Sequence, residues 1–194
     1  MNPSSVLAPP TSIARTVLRW TAGFVGFPLG GLAAELTFGP VDGLVPAVLG
    51  GGLTGAVLGL VQHLAVARAD APPALRWAPA TAAGLAVGLA AGSAAVDYGT
   101  GTGALAVQGA ICGLAVGFAQ VMVLARRLGA LVWAWPGVLS ATWALGWVVT
   151  ATIGVDVEAQ YTVFGSSGAI VVAALTSILP LALRRRPEPV PRRH

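Results

Sequence analysis

Arginine marks out this chain: its eleven basic residues contain no lysine and fall into four clusters separated by pairs of apolar runs. The clusters are Arg15 and Arg19; Arg68 and Arg76; Arg126 and Arg127; and Arg184, Arg185, Arg186, Arg192 and Arg193. The turn inside each pair of runs carries no basic residue. It holds Glu35 and Asp42 in the first pair, Asp97 in the second, and Asp156 and Glu158 in the third. Cytoplasmic loops of membrane proteins collect basic residues, and this bias sets orientation. The pattern predicts an all-α membrane protein with six transmembrane helices and both termini in the cytoplasm.

Only 9% of residues are charged and the mean hydropathy is +0.80, whereas a soluble domain carries about 25% charged residues. The net charge of +4 does not indicate a nucleic-acid partner, because the arginines flank apolar spans and do not gather on one face. The expected partners are the lipid bilayer, anionic lipids at the arginine collar, and a second copy or another membrane protein. Abundant Ala, Gly and Arg without Lys point to a GC-rich bacterial genome. The single Cys112 excludes a disulfide framework.

A spanning helix needs about 20 apolar residues. Runs near 17–38, 44–66, 77–96, 103–125, 131–154 and 163–183 meet that length. Residues 1–14 read as a disordered cytoplasmic lead, 15–183 as the transmembrane domain and 184–194 as a basic cytoplasmic tail. The first run follows Arg15 and Arg19 but exceeds the roughly 7–15 residues of a signal-peptide core, so it reads as a span. Trp20, Trp77, Trp133 and Trp135 stand at cytoplasmic entrances, with Phe38, Tyr98 and Tyr161 near the opposite ends. This is the distribution of interfacial aromatic belts. Pro28, ahead of Gly30 and Gly31, is the best kink candidate, and Pro46 and Pro136 should also bend or end helices.

The chain repeats itself. A shift of 58 aligns Gly51, Gly55, Gly59, Gln62 and Arg68 with Gly109, Gly113, Gly117, Gln120 and Arg126, and lays Trp77 on Trp135. A shift of 57 lays Arg19 and Trp20 on Arg76 and Trp77. The unit is a helical hairpin, present near 15–68, 72–127 and 130–186. Each copy starts and ends on one side, so the copies are parallel repeats, unlike the inverted repeats of many transporters. Gly51, Gly55 and Gly59 share a helix face, as do Gly84, Gly88 and Gly92, and Gly109, Gly113 and Gly117. Such faces let helix backbones approach closely in a membrane.

Few residues invite chemistry. Gln62 and Gln120 lie about two turns inside the cytoplasmic boundary, where an amide needs partners that hydrocarbon does not supply. They suit interhelical hydrogen bonds or a shared cavity. His63 has no second histidine except His194 in the tail, and a site with Cys112 lacks further ligands, so neither metal nor cofactor is expected. Glu35 is the most embedded acid. With Asp97 and Asp156 it could ring an outer vestibule. Gly99 to Gly103 has the look of a phosphate loop but lacks Lys and reads as a turn. No catalytic set occurs: there is no Ser–His pair, paired acid or H-E-x-x-H motif.

The string Gly-x-x-x-Gly-x-x-Gln, closing on Leu and Arg, runs from Gly55 to Arg68 and again from Gly113 to Arg126, and Trp heads the next span. In this it resembles a group of uncharacterised bacterial multi-pass membrane proteins, whose hairpins often carry Gln-Trp. Here His63 and Val121 stand in place of that Trp. The resemblance covers about residues 50–150. It implies an inner-membrane protein and transfers no catalytic residue. The reading from sequence is a non-enzymatic membrane protein of structural or accessory type. Its alternative is a small-solute or ion transporter or channel with a path near Gln62, Gln120 and Glu35.

Overall fold

A computed structural model describes residues 12–65, 74–154 and 161–184. Arg68, Asp156, most of the lead and most of the basic tail lie outside the described residues. Those described are helical, without strands. In chain order the α-helices are α1 (Ile13–Ala22), α2 (Gly26–Phe38), α3 (Leu44–Ala65), α4 (Ala74–Ala95), α5 (Thr102–Leu128), α6 (Trp135–Thr152), α7 (Ser166–Thr176) and α8 (Ile178–Arg184). Among the described residues four stretches are long and apolar enough to cross a membrane: Leu44–Ala65, Leu75–Ala95, Thr102–Thr152 and Ser166–Arg184.

Proline accounts for the breaks. A 3-10 turn at Gly23–Val25 joins α1 to α2. Pro28 cannot donate to the carbonyl of Phe24 and its ring crowds that group, so the irregularity sits one turn before the proline. Pro180 stands in the same relation to Thr176, the last residue of α7. Within Thr102–Thr152 the chain reverses: Gly129 adopts φ 58°, a 3-10 segment covers Gly129–Ala134, and Pro136 lies in the first turn of α6. The last apolar run is not helical from its start. Tyr161 to Gly165 is an irregular segment, with Thr162, Val163 and Phe164 buried, and Gly165 N–H donates to Thr150 Oγ1 at 3.1 Å.

From α2 to α7 each helix packs on the next in sequence, and α1 closes the ring against α7 and α8. Glycine sets how close they come. A Cβ on Gly51, Gly55 or Gly59 would lie 2.6–2.7 Å from Leu85 O, Thr81 O or Ala78 Cα of α4 respectively. The order reverses along α4, so α3 and α4 are antiparallel. Gly84, Gly88 and Gly92 meet Val116, Cys112 and Gln108 of α5 in the same way, and Gly109, Gly113 and Gly117 meet Trp143, Leu139 and Pro136 of α6. On the other side of these helices the surface is apolar. Leu114, Phe118 and Met122 form an exposed stripe along α5, Met122 being 81% exposed. Exposed apolar area on this scale marks a membrane surface.

A methyl group placed into such a seam must push backbone apart, and overpacking costs about 1–3 kcal/mol. Gly55→Ala should therefore lower the melting temperature of the purified protein in detergent. Gly137→Ala, with nothing within 4 Å of its Cβ position, should leave it unchanged. Equal melting of the two variants would contradict the seam.

Candidate functional site

Two places stand out: the polar centre of the ring and a cleft on its flank. At the centre, short antiparallel connections bring each tryptophan beside a polar residue of a neighbouring helix. Trp77, in the first turn of α4, donates its indole N–H to Gln62 Oε1 of α3 at 3.0 Å. Trp135, opening α6, donates to Gln120 Oε1 of α5 at 2.7 Å. Trp20 of α1 donates to Thr176 Oγ1 at 3.1 Å, and that hydroxyl donates to Val172 O at 2.7 Å. Gln120 Nε2 donates to Thr81 Oγ1 at 2.8 Å, and the Thr81 hydroxyl donates to the carbonyl of Trp77 at 2.9 Å. One hydrogen-bonded chain thus runs from α6 through α5 to α4.

These bonds redefine three of the tryptophans. Trp20, Trp77 and Trp135 sit at helix ends as an interfacial belt requires, but all three are buried. Their N–H groups are satisfied by protein, not by interfacial water. Only Trp133, 66% exposed, has the surface position of a membrane anchor. Trp143 and Trp147 are buried as well.

The cavity between Trp20, Gln62, Trp77, Gln120, Trp135 and Trp143 measures about 10 Å³, room for about one water. Among the described residues no titratable side chain lines it. An aromatic cluster adjoins it, with ring centroids 4.8 Å apart for Phe27 and Phe164 and 5.6 Å for Phe27 and Trp143. Trp143 and Trp147 both meet Phe164 edge-on, at 5.6 and 6.1 Å. The irregular Tyr161–Gly165 segment is what carries Phe164 into this cluster.

The flank cleft is larger, about 500 Å³, between α2 and the start of α7. Leu32, Ile153, Val163 and Phe164 give it an apolar lining, and Glu35 and Ser167 add polar groups. Glu35 Oε2 and Ser167 Oγ are both buried without a hydrogen-bond partner.

The remaining candidates scatter. His63 is half-buried near the end of α3, one residue from Gln62. Cys112 is buried on α5 against the Gly88 position. Among the described residues no group of three His, Cys, Asp or Glu could hold a metal ion. Asp97 is exposed on a turn where it and Tyr98 both take left-handed φ, 50° and 55°, and it lines neither the centre nor the cleft. Glu35 lies in the cleft, apart from Gln62 and Gln120. Sequence reasoning missed Gln108, which is buried and lines another cavity of about 10 Å³ with Val41, Tyr98 and Tyr161. A lone amide in an apolar run was its signal, as for Gln120.

No family model, curated protein or solved structure matches this chain.

Gln120→Leu would orphan the buried indole of Trp135, and an unmet buried donor costs about 1–3 kcal/mol. The variant should melt lower in detergent than Gln62→Leu, whose bond is only partly buried. Adding Trp135→Phe to Gln120→Leu should restore part of the loss. Additive effects in that double-mutant cycle would contradict the bond.

Proposed function

We propose that the chain is a six-span bacterial inner-membrane protein with both termini cytoplasmic. In this reading it is a non-enzymatic structural or accessory protein that acts by packing with itself or with a membrane partner. Three parallel hairpins build it. Support for the repeat comes from contacts that recur under the same shift of 58. The Gly26–Leu58 approach corresponds to Gly84–Val116, and Gly30–Thr54 to Gly88–Cys112. Gly59–Ala78 corresponds to Gly117–Pro136, and the Trp77–Gln62 bond to Trp135–Gln120. Trp20–Thr176 stands at the third junction, where Ser177 and Ile178 occupy the positions at which glutamine would recur. The antiparallel pairing of α5 with α6 supports counting two spans within Thr102–Thr152, and the proline break supports counting α1 and α2 as one bent span.

The observation that carries the accessory reading is the filled centre. Gln62 and Gln120 spend their acceptor oxygens on indoles, and the space between them holds about one water. A conducting path there would have to break those bonds. The exposed arginines Arg15, Arg19, Arg76 and Arg126 suit anionic headgroups at about 1 kcal/mol each.

A transporter is the second reading, favoured by Glu35, an embedded acid with an unpartnered oxygen. Proteoliposomes distinguish the two. The accessory reading expects no flux of ions, water or small solutes above that of empty vesicles. Flux that Gln62→Leu and Gln120→Leu abolish without loss of assembly would overturn it. For orientation, in a Cys112→Ala background, Asp97→Cys should react with an impermeant maleimide from outside the cell. Arg76→Cys should react only after the membrane is opened. The reverse pattern would invert the topology.

A further inference from the structure

We propose that the flank cleft is a binding site for an amphiphile with an apolar body and a protonated amine. The site has the right scale, since small-molecule pockets run about 300–1,000 Å³ and this one measures about 500 Å³. Glu35 Oε2 and Ser167 Oγ are buried without a partner, and both belong to residues that line this one cavity. Buried polar atoms are normally satisfied, so two orphans beside one space, each a side-chain rotation from it, point to a group absent from it. Both can accept a hydrogen bond, and one belongs to a carboxyl group. No Arg, Lys or His lines the cleft, so the chain supplies no cation to that carboxyl among the described residues. A ligand that supplies one gains a charge-assisted bond in surroundings where charge is otherwise costly.

The rest of the lining sets the body of the ligand. Leu32, Ile153, Val163 and Phe164 present hydrocarbon and aromatic surface with no further charged group. Leu32 and Ile153 are also exposed, at 57% and 64%, so the cleft opens beside the apolar outer surface, where a molecule dissolved in the bilayer can reach it. A neutral alcohol of the same shape would fill the space but bring no charge. An anionic amphiphile would face Glu35 and be repelled. The amine has two sources, a free lipophilic amine or the headgroup of an aminophospholipid. The inference stands on the cleft alone, and its failure would leave the accessory reading and its flux test untouched.

The test uses full-length protein in phosphatidylcholine nanodiscs and a radiolabelled twelve-carbon primary amine, corrected for uptake by empty nanodiscs. Saturable binding is expected, with the matching alcohol at least tenfold weaker. Glu35→Gln is nearly isosteric and removes no existing bond. It should weaken amine binding at least tenfold with an unchanged melting temperature, and Ser167→Ala should weaken it less. Repeating the titration in phosphatidylethanolamine nanodiscs separates the sources. Reduced apparent affinity means the aminolipid occupies the site, unchanged affinity means a free amine does, and either upholds the shared chemistry. Equal binding of amine and alcohol, full binding by a folded Glu35→Gln, or no saturable component would overturn the proposal. If Glu35→Gln fails to fold, the amine-to-alcohol ratio of the unaltered protein decides alone.

Discussion

Close approach of helix backbones is the constraint on which this structure rests. Between apolar helices facing lipid, burial of hydrocarbon supplies little driving force, so association depends on dispersion attraction between closely apposed atoms. The chain meets this with glycines at every fourth position on successive helices. Each stands where a side chain would collide with the neighbouring backbone. The seams therefore do more than permit packing. They admit a narrow range of axial positions, because a slide of the helix would bring larger residues such as Leu58 or Val116 into the space reserved for hydrogen.

That register explains the polar centre. The seam that seats Gly59 against Ala78 also sets Gln62 beside Trp77, and the seam that seats Gly117 against Pro136 sets Gln120 beside Trp135. Amide and indole would otherwise be stranded where water cannot serve them. Packing and hydrogen bonding thus demand the same alignment, the internal agreement expected of a sequence that specifies one structure. The flank cleft departs from that agreement. There an acid and a serine each keep a buried oxygen unmatched beside one cavity, the kind of local exception that accompanies function.

Much of this was legible in the residues. Glycines spaced by four announced the seams, and two isolated glutamines announced polar locks. Their partners were harder to read. A tryptophan beside arginines at a helix entrance meets every criterion for an interfacial anchor, and sequence does not say whether its N–H faces water or a neighbour. The common separation of 15 residues in Gln62–Trp77 and Gln120–Trp135 was the clue. Thr176 was invisible as a partner because it lies 156 residues from Trp20. The irregular Tyr161–Gly165 segment was hidden because Val163 and Phe164 look like helix, although Gly165 through Gly168 is a poor helix opening. The open carboxyl of Glu35 depends on which residues lie across from it, which only the assembled fold decides.

These seams close the bundle around a nearly dry centre. The most direct test is hydrogen exchange of the six indole N–H groups, observed by NMR on protein labelled with ¹⁵N-tryptophan. Slow exchange is expected for Trp20, Trp77 and Trp135 and fast exchange for Trp133 alone. Exchange at Trp77 and Trp135 as fast as at Trp133 would mean a water-filled interior and would contradict it.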